Sequence, residues 1–287
     1  MKIPVFLLGC ILSTSLSGQK IPLKPNQTVN EITNEIIKNT GAAIIPNTVD
    51  MIKEGNPETT VSGIITCMFA TMDVLKQAVD KGCNLIVTHE PVYYNHLDET
   101  EYLKNDPVFL EKKKYINDHQ LVIWRFHDYI HSMKPDGILS GMTSKLGWSK
   151  YAADEHLDLF HLPEMSLKDL LAVLKSKFPG NSFYVVGNPE TQLFNVFLAA
   201  GPPGSELHIQ LLENENIDIV ITGESPQWET YEYTRDAVQQ GRIKAVIFLG
   251  HISSEEAGME FCAQWMKGFV KDIPIYFIEN GAAYWSY

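Results

Sequence analysis

Cysteine is scarce in this chain, and its arrangement excludes two kinds of site. Four cysteines occur in 287 residues, and none has the Cys-x-x-Cys spacing of a structural zinc site. Removal of an N-terminal leader would leave Cys67, Cys83 and Cys262, and an odd number cannot form a closed disulfide framework. We therefore expect buried free thiols.

Positive charge is also in short supply. The sequence has 23 Lys and Arg against 35 Asp and Glu, which gives a net charge of -12. A general nucleic-acid or anionic-membrane binder needs clustered Lys and Arg, so both classes are disfavoured. An anionic substrate would need metal ions to offset the repulsion. No solenoid-length repeat or low-complexity tract appears, and 45% hydrophobic with 20% charged residues is typical of a globular protein with a large core.

The N-terminus lacks an apolar run long enough for a permanent membrane helix. Residues 1–19 combine Lys2, a short apolar run from Val5 to Leu16, and small residues before Gln19. This pattern predicts a signal peptide and an exported protein, periplasmic or extracellular. Lipid anchoring at Cys10 is a second interpretation of the same residues.

The rest of the chain alternates strand and helix patterns. Residues 28–39 carry a Thr-x-x-Glu capping box, and residues 61–88 contain a strand, a helix and a strand, which predicts a βαβ unit. We expect an α/β fold with a mostly parallel sheet flanked by helices. The predicted domains are a discontinuous metal-site domain, 20–145 and 193–287, and the core of a smaller inserted α/β domain, 146–192.

Two distant strand ends carry a histidine with a carboxylate. They are Thr88-His89-Glu90-Pro91 and Gly250-His251-Ile252-Ser253-Ser254-Glu255. His127 and Glu224 also follow predicted strands, and ligands of doubly wound sheets lie beyond the carboxyl ends of strands. Imidazole and carboxylate are ligands that zinc, manganese and iron share, so the four strand ends predict a metal site.

Each of these residues also has a structural interpretation. A single histidine after a strand is commonly a hydrogen-bonded core or surface residue. Ser253 and Glu256 have capping-box spacing, and Glu255 would be either a carboxylate bridging two cations or an acid in the first helical turn. His127 and His131 would share one face of a helix, but a turn fits the spacing equally well.

Taken in order, these motifs resemble those of the Nif-three-like dinuclear metal-centre family, also labelled GTP cyclohydrolase I type 2. The most specific matches are Thr222-Gly223-Glu224 and the closing Gly-His-x-x-x-Glu, and the turn 201–205 is similar to the glycine-rich turn of that family. The resemblance covers roughly residues 28–287. It implies two divalent metal ions (Zn, Mn or Fe), a small-molecule substrate and a homo-oligomer in the form of a hexameric ring.

The chain departs from the family pattern at two positions. It has His89-Glu90-Pro91 where the family usually has His-His-Pro. It also has His127-x-x-x-His131 where the family usually has His-x-x-x-Asp. If the ligand positions carry over, the resemblance implies a metal set of three imidazoles and two carboxylates, the same inventory as in the family: His89, Glu90, His131, His251 and Glu255.

We expect a dinuclear metal-dependent hydrolase that uses a metal-bridging water, with Glu224 or His127 handling protons. The substrate implied by the resemblance is a nucleotide or a cyclic amide. Two alternatives stay open from the sequence: a non-catalytic metal-binding or partner-interaction protein of the same fold, and a family member that has lost the site.

Overall fold

Two five-stranded sheets organise the part of the chain that the structure, a computed structural model, describes: residues 27–285. The predicted signal peptide and Cys10 lie outside these residues. The strands are β1 (Ile52–Glu54), β2 (Ile64–Cys67), β3 (Leu85–Thr88), β4 (Val122–Arg125), β5 (Leu159–Ser166), β6 (Tyr184–Val186), β7 (Gln192–Ala199), β8 (Ile219–Thr222), β9 (Ala245–Phe248) and β10 (Ile275–Phe277).

The α-helices of the described residues connect and cover these strands. They are α1 (Val29–Thr40), α2 (Met72–Asp80), α3 (Pro107–Asp118), α4 (Asp128–His131), α5 (Gly137–Leu146), α6 (Leu167–Lys177), α7 (Ser205–Glu213), α8 (Glu232–Gln239) and α9 (His251–Met266). Within residues 27–285, no helix combines the length and apolar character that crossing a membrane requires.

The first sheet confirms the predicted local pattern. Its order is β1-β4-β3-β2-β10, with β10, β2, β3 and β4 parallel and β1 antiparallel at one edge. All four residues of β2, β3 and β4 are buried, as expected of strands covered on both faces. The capping box is present as well: Thr28 accepts from the backbone of Glu31, whose carboxylate accepts from the backbone of Thr28.

The second sheet contains β5 to β9, and this differs from the expected arrangement of the parallel strands in one sheet. Its order is β5-β7-β8-β9-β6, with β7, β8 and β9 parallel and with β5 and β6 antiparallel at the edges. β5, from the predicted inserted segment, pairs along β7, so strand pairing divides the chain differently from the predicted domain ranges. Periodicity shows that a segment is a strand, but not which strand lies beside it.

Helices α5 and α9 form a layer that contacts both sheets. Ile138 and Met259 belong to the core of the first sheet, whereas Met142 and Ala257 belong to the core of the second. The two helices cross so closely that a Cβ atom on Gly141 would lie 2.2 Å from the carbonyl oxygen of Ala257. Because α9 packs against both sheets, its first residues lie close to the residues that follow β3: His251 contacts Glu90, and Glu255 contacts His89. The predicted α/β class with mostly parallel pairing is confirmed.

Candidate metal centre

His89 is the first residue after β3, and its side chain is fully buried. Its Nδ1 atom lies 3.2 Å from the carbonyl oxygen of Phe126. Because a carbonyl oxygen can only accept a hydrogen bond, Nδ1 carries the proton and Nε2 keeps a free lone pair. Burial, together with neighbouring imidazoles, lowers the pKa of His89, so this ring stays neutral and can bind a cation.

His127 and His131 bracket the single helical turn α4, which resolves the choice between a helix and a turn. Nδ1 of His127 lies 2.9 Å from a carboxylate oxygen of Asp128, and Nδ1 of His131 lies 2.8 Å from one of Asp136. The ring centroids of both histidines are within 5.1 Å of the His89 ring. Burial lowers the pKa of His131, but the hydrogen bond to Asp136 and the negative charges of Asp136, Glu255 and Glu90 together outweigh it, so the pKa is raised.

His251 opens α9 and brings the second sheet into the cluster. Nδ1 of His251 donates to Glu224 at 3.0 Å, while Nε2 lies 3.1 Å from Oε2 of Glu255 and 3.2 Å from Oε1 of Glu90. Burial lowers the pKa of His251, but the three carboxylates outweigh it and raise the pKa to about 12. A cation at this position would replace that proton.

Glu90 and Glu255 are buried carboxylates, which is costly unless the charge is compensated. Burial raises the pKa of Glu90, but His251, His127 and Arg125 hold it below its usual range. The guanidinium of Arg125 lies 3.4 Å from Oε2 of Glu90 and is itself fully buried. Glu255 has a different setting, because its Oε2 lies between two imidazoles, 3.6 Å from Nε2 of His89 and 3.1 Å from Nε2 of His251.

The four histidines share one arrangement that suits metal binding. In each, an oxygen acceptor holds Nδ1, which leaves Nε2 as the atom that can bind a cation, in His251 by giving up its proton. Ligand atoms of two overlapping groups lie within 4.8 Å of one another, the first formed by His89, His127 and His131 and the second by His89, Glu90 and Glu255. Among the described residues, Nε2 of His89, Nε2 of His251 and Oε2 of Glu255 are buried without a hydrogen-bond partner. Such convergent, unpartnered atoms fit divalent cations.

All the residues predicted for the site therefore lie together, and their roles as ligands stay a prediction. His127 was expected to handle protons, but its Nε2 lies among the ligand atoms. Glu224 is exposed and contacts His251, so it orients that ring. The capping box of Ser253 and Glu256 is wrong: α9 begins at His251 after Gly250, without a side-chain cap, and Glu256 instead accepts from the backbone of residues 280 and 281.

Sequence reasoning missed several residues that support the cluster. Asp50 accepts hydrogen bonds from the backbone of His127, Asp128 and Tyr129, at 2.7, 2.8 and 2.9 Å, and so fixes the start of α4. Arg125 is visible in the sequence as one charge within an apolar strand, a signal that was available. The carboxylate partners of the histidines gave no local signal beyond their closeness in sequence.

A cavity of about 1180 Å³ opens beside the cluster. Its wall includes side chains from both sheets, among them Glu90 and His127 on one side and Glu224 and His251 on the other. The cavity is large enough for a drug-sized molecule. The cluster thus has the ligands for divalent cations and direct access to a space that would hold a substrate.

A family model described as Duf34/NIF3 (NGG1p interacting factor 3) matches residues 47–282. The chain belongs to the Duf34/NIF3 family. The resemblance found in the sequence motifs is therefore confirmed. The match extends from the loop that contains Asp50 to the residues beyond β10, so it covers both sheets and every residue of the cluster.

Known relatives agree with this assignment. The chain is 24% identical over 225 residues to a protein of Clostridium acetobutylicum named GTP cyclohydrolase 1 type 2 homolog, covering 75% of this chain and 80% of that protein. The crystal structure of Staphylococcus aureus protein SA1388 has a TM-score of 0.69 at 15% identity, over 91% and 99% of the two chains. A Bacillus cereus protein related to NIF3 has a TM-score of 0.70 at 11% identity, over 89% and 97%. These two structures show the shared fold.

Proposed function

We propose that this Duf34/NIF3 protein is a hydrolase that depends on two divalent metal ions, Zn, Mn or Fe. The main supporting observation is that four histidines, each held at Nδ1 by an oxygen acceptor, lie close to two buried carboxylates beside a large cavity. The name of the Clostridium relative supports a hydrolytic reaction on a cyclic substrate, since it is that of a cyclohydrolase homolog.

The proposed ligands are His89, Glu90, His131, His251 and Glu255, with His127 as a sixth candidate. When bound, two divalent cations lower the pKa of water and polarise the oxygen of a carbonyl or phosphoryl group. The position of Oε2 of Glu255 between His89 and His251 suits a carboxylate shared by both ions. His251, His127 and Arg125 together keep Glu90 ionised and therefore ready to bind.

Glu224 is the better of the two candidates for proton transfer. Its carboxylate lines the cavity, and the hydrogen bond from His251 lowers its pKa, so it is ionised at neutral pH and can accept a proton from water. His127 is less suited because Asp128 holds its Nδ1 and its Nε2 faces the other ligand atoms. Glu224 would also keep His251 in the tautomer that binds metal.

The test combines metal content with turnover. Elemental analysis of the purified protein should give about two equivalents of metal, and a panel of cyclic amides, nucleotides and phosphoesters should contain a substrate. Glu255→Gln should lose metal and turnover together. Glu260→Gln is the matched control, because Glu260 is an exposed acid on the same helix and should change neither.

Two results would overturn the proposal. Protein that contains no metal after purification and refuses added Zn, Mn and Fe would indicate a lost site. Protein with tightly held metal, no exchangeable coordination position and no turnover on the whole panel would indicate the non-catalytic alternative. The hexameric ring implied by the resemblance stays a prediction, which mass measurement in solution would check.

A further inference from the structure

The cavity wall is almost free of cationic side chains. Of the Lys and Arg residues in the described range 27–285, Lys112 is the single one that lines it. Lys112 is buried, and its Nζ donates to the carbonyl oxygen of Val92 at 2.7 Å. A polyphosphate is normally recognised by Arg and Lys side chains that offer several free donors. The described residues that line this cavity include no exposed Arg or Lys side chain with free donors.

Carboxylates are by contrast abundant around the same space. Five of them line the cavity: Glu90, Asp136, Asp158, Glu224 and Glu255. Two divalent cations, the Lys112 ammonium and the Arg125 guanidinium that contacts Glu90 would nearly balance this negative charge. A loaded site would therefore have little excess positive potential to attract a nucleoside triphosphate, which carries several negative charges.

The backbone position best placed to bind a phosphate is also blocked. Helix α7 begins at the cavity mouth after Gly201-Pro202-Pro203-Gly204, and a helix N-terminus with free N–H groups favours anions. Pro202 and Pro203 have no N–H to donate. The hydroxyl of Ser205 contacts the carboxylate of Glu229 and lies 2.9 Å from that of Ser225. A negative charge thus already occupies this helix end.

Much of the remaining wall is apolar, beside polar side chains such as Thr71, Asn95 and Asn280, and the apolar part lies directly against the cluster. The ring of Phe69 meets the ring of His251 edge to face, with centroids 6.2 Å apart. Leu139, Phe197, Leu207 and Ile252 also line the cavity. Binding an uncharged ring against this surface would be favourable by about 25 cal/mol for each Å² of apolar surface removed from water.

We propose that the cavity selects an uncharged cyclic amide that carries an aromatic or other apolar group, and that it rejects nucleoside triphosphates. The proposal rests on the proposed hydrolase function and narrows its substrate class. In the reaction, the oxygen of water bonds to the amide carbonyl carbon, the ring C–N bond breaks, and the nitrogen takes a proton. The product is an open chain with a carboxylate at one end and the released nitrogen at the other.

Binding to the full, metal-loaded chain tests the selection without depending on turnover. Calorimetry at pH 7 would compare 5-phenylhydantoin with GTP, and we expect the hydantoin to bind at least about tenfold more tightly, since the cavity wall offers the phosphates of GTP no free cationic side chain. Leu207→Arg, at the exposed edge of the cavity, should strengthen GTP binding by about tenfold through one charge-assisted contact. The matched control, Leu110→Arg on the surface of α3, should leave GTP binding unchanged.

The outcomes separate this proposal from the hydrolase proposal. Tighter binding of GTP than of the hydantoin, or no binding of either, would overturn the substrate class. Hydrolysis of GTP would overturn it as well while leaving the hydrolase proposal intact. A clear preference for the hydantoin with no turnover of any cyclic amide would support the selectivity and count against the hydrolase.

Discussion

Replacing Gly201 with alanine should damage the metal centre through a single methyl group. Gly201 follows β7 with a φ of +68°, and a Cβ atom there would lie 2.3 Å from Oε1 and 3.0 Å from Cδ of Glu255. The backbone of Gly201 cannot retreat freely, because its N–H donates to Ser254 at 3.0 Å and its carbonyl oxygen accepts from Gly223. We therefore expect the carboxylate of Glu255 to move.

The size of the movement follows from the contact distance. An ordinary contact with a Cβ atom begins at 3.4 Å, so the oxygen must move by about 1.1 Å from 2.3 Å. Metal ligands tolerate departures of only about 0.2 Å from their proper distances. Disturbance of groups that orient ligands weakens metal binding by about 10- to 100-fold, which corresponds to about 1.4–2.7 kcal/mol.

The assay is a metal titration in competition with a chelator, read beside thermal unfolding of the metal-free protein. Gly82→Ala is the control, because Gly82 has a φ of +67° and no heavy atom of the described residues lies within 4 Å of the place that the added methyl group would take. Both variants carry the same backbone strain, about 1–2 kcal/mol. Only Gly201→Ala should lose metal affinity. Equal metal affinity in the two variants would refute the reasoning.

Three further predictions concern the fold. Gly141→Ala should lower the free energy of unfolding by about 1–3 kcal/mol in urea titrations, because the methyl would meet Ala257 in the α5–α9 contact, and an unchanged midpoint would contradict this. Burial lowers the pKa of His208 to about 4, so below pH 6.5 the unfolded chain binds a proton that the folded protein does not bind. The free energy of unfolding should therefore fall by on the order of 2 kcal/mol from pH 7 to 5, and by less in His208→Gln. Burial raises the pKa of the Cys67 thiol to about 12, so it should resist iodoacetamide until the protein unfolds, and labelling of the folded protein would be the contrary result.

Much of the local structure could be predicted from the sequence. The Thr28 capping box and the βαβ unit within residues 61–88 both appear as expected, because each depends on residues close to one another in the sequence. The start of α9 was misplaced for the same reason. Ser253 and Glu256 satisfy a local rule, but a glycine at φ +88° begins the helix at His251 instead.

The residues around the cluster were less accessible to such reasoning. Their contacts join segments that are far apart in the sequence. Arg125 is 35 residues from Glu90, and Asp50 is 78 residues from Asp128 at the start of α4. Gly201 is 54 residues from Glu255. Nothing in the local pattern of either segment reports its partner. A carboxylate at position 90, where the family usually has a histidine, is explained by the buried guanidinium of Arg125, which compensates its charge.

The sequence by itself determined the types of secondary structure, the order of the histidine and carboxylate motifs and the family to which the chain belongs. Only the tertiary structure decided that the strands form two sheets, that α5 and α9 contact both of them, and that His89 and His251 meet at the carboxylate of Glu255. The physical reason is that periodicity records which faces of a segment are buried. Which faces then bury one another depends on packing between residues far apart in the chain, such as Gly141 against Ala257.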